Sequence, residues 1–364
     1  MSISGIKDEY RIGGEFNLSI DDFLAPEVNT SLNFLRKKYY LFPDTGRSAI
    51  YVALLTIIRQ GGKKEAWLPY YCCKSILLPF RKLGFKVKFY SMGSDLKSPF
   101  NLPARLERET FFFIHYFGKK NWVILDYLNK MKKQDKFFVI EDCVQALLNR
   151  NLGTYDFIIY SYRKFLPQPD GALLASDYPL KHNLPSADEA FVSLRLIGKL
   201  IAGKGEADSF LDLFNQAEKI IDSCIYPREM SCLSYYLLAR VDAAEIARIR
   251  RANFFYLLEL LNAKIAYLRP LFDSLEDDEV PLGLPILADP ANRDRLREFL
   301  KSQNIYCPVH WILESNEGGN WDSEMELSNS ILTLPIDQRL DFSGLDFLAE
   351  QITRFFARVD KRAR

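Results

Sequence analysis

Blocks of apolar residues change period repeatedly along the first half of the chain. Ile50, Ala53, Leu54, Ile57 and Ile58 recur at helical spacing, and Gly61-Gly62 follows where that helix must stop. Short apolar runs at 66–68, 86–90, 111–115, 137–140 and 156–161 predict strands, with Pro69 closing the first. Helices are predicted between them at 72–83, ending at Gly84, and at 121–132. Strand–helix–strand alternation implies an α/β domain with a mostly parallel central sheet flanked by helices. Ligands in such sheets sit at the carboxyl ends of the strands. Upstream, 1–30 reads as an irregular arm with a short amphipathic piece at 20–23. Residues 34–42 read as a strand entering the turn Pro43-Asp44-Thr45-Gly46. Downstream, 182–222 is mainly helical with a Gly-Lys-Gly break at 203–205, and 233–263 is one long helical pattern. Residues 280–364 mix short strands with helices at 293–301 and 345–358. The expected division is 1–232, arm and large domain, and 233–364, a linking helix with a smaller α+β domain. No internal repeat or low-complexity tract is visible.

Composition narrows the function classes. The 364 residues carry 48 Lys plus Arg against 47 Asp plus Glu, a formal net charge of +1. That balance argues against a generally basic nucleic-acid binder. Lys130, Lys132 and Lys133 read as one solvated helix face. No apolar run approaches the roughly 18 residues of a membrane span. The first residues lack a signal-peptide pattern, so a cytoplasmic location is expected. The six cysteines show no CxxC spacing, and His115, His182 and His310 lie far apart, so no metal site is expected.

Four places could carry chemistry. Asp142 ends the strand at 137–140, facing the usual ligand crevice; the ordinary alternative is a helix cap. Lys164 follows the strand at 156–161, where a lysine is ordinarily a solvated charge. The pair says more than either alone. A lysine able to form a Schiff base beside a buried carboxylate is what pyridoxal phosphate (PLP) requires, the carboxylate keeping the pyridine nitrogen protonated. Thr45-Gly46-Arg47-Ser48-Ala49 opens the first strong helix, where free N–H groups suit a phosphate, though an ordinary N-cap reads the same. Ser161 lies close enough to Lys164 to add a hydroxyl. In Pro69-Tyr70-Tyr71-Cys72-Cys73, Tyr71 or Cys73 could lie against a planar ring, or be core.

In order, these segments resemble the DegT/StrS family of PLP-dependent sugar aminotransferases, from about residue 12 to 350. The resemblance rests on GGEF (13–16), TGRSAI (45–50), LPYYCCKSILLPFRKLGFKVKFY (68–90), IHYFG (114–118), IEDCVQAL (140–147) and YSYRKFLPQPDGALL (160–174). NIYCPVHW (304–311) and LSNSILTLPIDQR (327–339) look like the small domain. It implies the fold-type I PLP transferase architecture. Lys164 would then be the Schiff-base lysine and catalytic base, and Asp142 the partner of the pyridinium. Gln145 would contact the ring or its 3′-oxygen, and Gly46, Arg47, Ser48 and Ser161 would hold phosphate. His310 and Arg163 would face substrate. The chain departs from the family in three ways. Ser161 precedes Lys164 by only three residues, Arg47 follows Gly46 where a threonine is usual, and no Gly-Tyr-Asn segment is clear near 225–240. The implied reaction moves an amine from glutamate to a nucleotide-linked keto sugar bound for a surface glycan, in a homodimer. A sugar dehydratase on this fold would carry histidine in place of Lys164. A non-catalytic relative that binds PLP without transamination is the alternative from another class.

Overall fold

The computed structural model describes residues 11–28, 37–202, 209–223, 226–264, 267–314 and 319–363. In chain order the first elements are β1 (Ile12–Gly13), α1 (Ile20–Leu24), β2 (Tyr39–Leu41), α2 (Gly46–Arg59), β3 (Glu65–Pro69), α3 (Lys74–Lys82) and β4 (Lys86–Tyr90). Then come β5 (Thr110–Ile114), α4 (Trp122–Met131), β6 (Phe138–Asp142), β7 (Phe157–Ser161), β8 (Ala172–Ser176), α5 (Glu189–Ala202) and α6 (Ser209–Ser223). The last are α7 (Cys232–Leu238), α8 (Ala243–Lys264), β9 (Leu268–Pro270), β10 (Leu284–Ala288), α9 (Pro290–Lys301), β11 (Ile305–Tyr306), α10 (Asp322–Ser330), β12 (Ile331–Leu334) and α11 (Phe342–Ala363).

The chain forms two compact units. The larger, Phe16–Ala243, holds a seven-stranded sheet in the order β2-β8-β7-β6-β5-β3-β4. Strands β4, β3, β5, β6 and β7 pair in parallel, and β8 runs against β7 and β2. Every residue of β5, β6, β7 and β8 is buried, as expected for strands covered on both faces. The reversal into β8 happens at Gly171. Its φ is +112°, and a Cβ there would lie 2.4 Å from the Met230 sulfur, so only glycine fits. Just before it, Asp170 accepts from the Ser231 N–H at 2.8 Å, the Ser231 hydroxyl at 2.6 Å and the Ser234 hydroxyl. These bonds tie the start of α7 to the sheet.

That tie explains two departures from the sequence pattern. The single helix expected over 233–263 is two, α7 and α8, separated at 239–242. The larger unit also continues past residue 232 to Ala243, because α7 belongs to it. The smaller unit comprises Ala244–Arg364 and the described part of Met1–Glu15. It carries the antiparallel sheet β12-β10-β9. Its β11 pairs in parallel with β1, which draws residues 12–13 of the expected large-domain arm into this unit instead. The Gly-Lys-Gly break at 203–205 lies outside the described residues, between α5 and α6. Among the described residues no helix is long and apolar enough to cross a membrane.

Candidate functional site

Parallel pairing puts the ends of β3, β5, β6 and β7 along one edge of the sheet. Asp142, the last residue of β6, stands opposite Ile114 on β5 and Ile159 on β7. It is 3% exposed. Its Oδ1 accepts from the Val144 N–H at 2.9 Å, and Oδ2 has no partner among the described residues. Burial pushes this carboxyl up to about 6, with the Val144 N–H and the charge of Lys164 pulling the other way. Lys164 ends the short 3-10 turn Tyr162–Lys164 that follows β7. It is exposed, and its ammonium makes no hydrogen bond or ion pair with a described residue. The structure therefore brings together an available amine and a buried carboxylate with one open oxygen.

Gln145 adds a second buried polar group. Its Oε1 accepts from the Phe117 N–H at 2.7 Å, which leaves the amide nitrogen as a donor. Phe117 holds φ at +54°, so this donor is set by an unusual backbone turn. Asn149 Nδ2 pins the same turn by donating to the Gly118 carbonyl at 2.7 Å.

The start of α2 lies beside the end of β7. A Cβ on Gly46 would lie 3.6 Å from a Val144 methyl and 3.9 Å from Ser161 Cβ, so the glycine leaves a cradle there. Neither the Gly46 nor the Arg47 N–H has a partner among the described residues, as expected in a first helical turn. Ser161 is 8% exposed, and its hydroxyl is also unpartnered among them. Two other expected donors are used elsewhere. Ser48 is absorbed into the N-cap: its N–H donates to Thr45 Oγ1 at 3.1 Å, and its hydroxyl accepts from Thr45 at 3.0 Å. The Arg47 side chain turns to α6, donating to Asp222 at 2.7 Å and to the Ile221 carbonyl at 3.3 Å. Arg163 is also held by α6, through Glu218 at 2.7 Å.

Of the two ring-facing candidates, Tyr71 has no exposed surface. Its ring lies 6.1 Å from that of Tyr116, and its carbonyl accepts from the Tyr116 hydroxyl at 2.6 Å. A core residue offers no free ring face. Cys73 is half-buried at the N-cap of α3, with Sγ 3.0 Å from Ser75 Oγ. Cys72 between them is buried, which pushes its thiol up and makes it unreactive. His310 belongs to the smaller unit, where its Nδ1 lies 2.9 Å from Thr333 Oγ1.

Some groups gave no signal in the sequence. Asp44, read only as turn chemistry, is buried beside the α2 cap; burial, helped by Asp170, pushes its carboxyl up to about 6 against the Ser48 bond. Gln168 has no exposed surface, and neither amide atom has a partner among the described residues. His115, Glu141 and Cys143 place their ligand atoms within 4.8 Å of one another. His115 Nδ1 accepts from the Asn121 N–H at 3.2 Å, so the proton is on Nε2, which donates to Glu141 at 3.0 Å. That hydrogen-bonded order occupies the nitrogen a cation would use. The residues come from neighbouring strand ends, and their spacing in the chain does not show it.

No protein-family model matches the chain, and no curated protein matches it by sequence. Solved structures do match in fold. A putative sugar aminotransferase, Spr1654 from Streptococcus pneumoniae, superposes with a TM-score of 0.70 at 11% identity, covering 97% of this chain and 100% of that one. The aminotransferase PseC of Helicobacter pylori, involved in the biosynthesis of pseudoaminic acid, gives 0.65 at 13%, covering 97% and 100%. A DegT DnrJ EryC1 StrS aminotransferase from Brucella abortus gives 0.61 at 16%, covering 90% and 91%. The chain thus has the fold of these aminotransferases, the fold-type I architecture.

Proposed function

We propose that the larger unit binds pyridoxal phosphate at the ends of β6 and β7, and that the protein is an aminotransferase acting on a keto sugar. One observation carries this reading: the unpartnered, exposed Lys164 amine and the buried Asp142, one oxygen open, at the ends of adjacent parallel strands. The residues present fit the cofactor. Asp142 Oδ2 would face a protonated ring nitrogen, which would relieve its uncompensated buried charge. The Gly46 and Arg47 N–H groups and the Ser161 hydroxyl would take the phosphate. The Gln145 amide nitrogen would donate to the ring's 3′-oxygen, and Cys73 would lie against the ring. When bound, the cofactor supplies an electron sink for the substrate carbanion. Lys164 would remove and return the proton at the substrate carbon that bears nitrogen.

The finer reading takes a nucleotide-linked keto sugar as acceptor, glutamate as amine donor and a homodimer as the working form. It draws support from the family resemblance and from the neighbours named as sugar aminotransferases. The sugar-facing role of His310 belongs to it, and His310→Ala should then raise KM for the sugar more than it lowers kcat. A second reading, cofactor binding without amine transfer, is favoured by the engagement of Arg47 with Asp222 and by the acid Asp44 beside the cup. The visible absorbance spectrum with added PLP, before and after glutamate, separates the two. A band in the native protein that is absent in Lys164→Ala and bleached by glutamate supports the aminotransferase. A band indifferent to glutamate and every other amino donor supports the second reading, and no band with the fold intact overturns both.

A further inference from the structure

Helices α5 and α6 form a hairpin that packs on itself. Gly198 makes this possible, since a Cβ there would lie 2.6 Å from the Phe214 ring. Phe191, Ala217 and Ile221 form one small apolar cluster, and Ala202, Phe210 and Phe214 another, each made of hairpin residues. Among the described residues neither helix packs broadly against any other helix or strand. What joins the hairpin to the larger unit is largely polar. At one end the Lys199 ammonium donates to the Phe16 carbonyl at 3.0 Å, and the Lys199 carbonyl accepts from the Leu18 N–H at 3.1 Å. At the other end Asp222 holds Arg47 at 2.7 Å and Glu218 holds Arg163 at 2.7 Å, while Glu218 also meets Arg195 of α5 within the hairpin at 3.3 Å.

The two carboxylates are one helical turn apart, and the arginines they hold flank the candidate site. Arg47 is the second residue of α2, and Arg163 precedes Lys164. Asp222 is 61% exposed and Glu218 39%, so water competes with both pairs and they contribute little. A phosphate bound by the α2 N–H groups would offer the same guanidinium forks a better-matched, doubly charged partner. Such an exchange of partners would remove the ion pairs that hold this end of the hairpin.

We propose that the α5–α6 hairpin is a latch on the phosphate cup. Asp222 and Glu218 hold Arg47 and Arg163, and a phosphate-bearing ligand takes those guanidinium groups over and releases α6. By linkage, the latch weakens phosphate binding by the same factor as phosphate weakens the latch. The proposal rests on the reading of the α2 N-terminus, with the buried Ser161 hydroxyl beside it, as the phosphate seat.

The test is hydrogen–deuterium exchange of 209–223 in the full chain, with and without inorganic phosphate, against chloride at equal ionic strength. Exchange of α6 should rise roughly 3- to 10-fold with phosphate, as loss of two weak pairs implies. A Glu218→Gln/Asp222→Asn double variant should exchange fast already and bind phosphate more tightly by calorimetry. Arg47→Gln, which leaves α6 untouched, should also exchange fast and respond little to phosphate. Unchanged or slower exchange of α6 at saturating phosphate would overturn the latch. Lys164→Ala keeps the two readings apart, because it should keep the phosphate response while losing the PLP band. Native protein that responds to phosphate without forming a band keeps the latch and loses the Schiff-base assignment. A band without the response does the reverse.

Discussion

Glu141 and Asp142 are consecutive residues of β6, both almost fully buried, yet their carboxyls move in opposite directions. Burial pushes each one up. At Glu141 the hydrogen bond from His115 and the N–H groups of Gly153 and Tyr155 outweigh it, and the carboxyl lies below the usual range. At Asp142 the Val144 N–H and the Lys164 charge do not, and the carboxyl rises to about 6. Neighbouring side chains in a strand point to opposite faces. On one side of this strand end Glu141 Oε1 takes donors from His115 and Gly153, although its Oε2 is buried without a partner among the described residues; on the other Asp142 has one protein donor and an open Oδ2. Burial does not mark a site by itself. An acid buried without enough donors does, because a ligand can still supply the missing charge.

The largest effect expected is on the open side. Lys164→Ala should lower amine transfer by about 10²- to 10⁴-fold while leaving thermal unfolding of the cofactor-free protein nearly unchanged, since the side chain is exposed and makes no hydrogen bond or ion pair with a described residue. Activity retained with Lys164 absent would break the assignment of the open face.

Asp142→Asn comes next and should act in two directions. With a folded value near 6 against 3.8, ionisation of Asp142 costs the cofactor-free fold about 3 kcal/mol once the pH is above 6, and nothing below 3.8. Stability from this residue is therefore lost as pH rises through that window. The variant should be more stable than the native protein by urea unfolding at pH 8, by up to that amount, and the gain should fade toward pH 4. Activity should be lost throughout. A variant equally destabilised at every pH would show that Asp142 is closed by protein contacts after all.

Glu141→Gln should do the opposite, costing about 2 kcal/mol at pH 7 because charge-assisted bonds to a buried acid are lost. The native contribution is present above the unfolded value of 4.5 and disappears as pH falls through the lower folded value. The cost should shrink correspondingly in acid, and a cost independent of pH would sink the account. Arg47→Ala should be the mildest change, at most about 1 kcal/mol by the same unfolding assay, because its partner Asp222 is largely in water. A larger loss would mean that Arg47 supports the cup itself.

Local pattern was enough to read the alternation of strands and helices, the strand end at Asp142 and the place of Lys164 just past the next strand. Period and turn chemistry are local properties: runs such as Phe111–Phe113 belong to buried strands, and Thr45-Gly46 opens a helix wherever the chain goes. Strand order did not follow from the pattern: β8 enters antiparallel between β2 and β7, and β3 lies between β5 and β4. Which donors remain available depends on packing in space. Ser48 turns inward to Thr45, Arg47 and Arg163 reach Asp222 and Glu218 on α6, and Tyr71 disappears into the core. The break between α7 and α8 was equally hidden, because the bonds from Ser231 and Ser234 to Asp170 join residues sixty-one and sixty-four apart. Hydrogen-bond partners and burial are set by what packs together in space, and spacing along the chain carries no record of it.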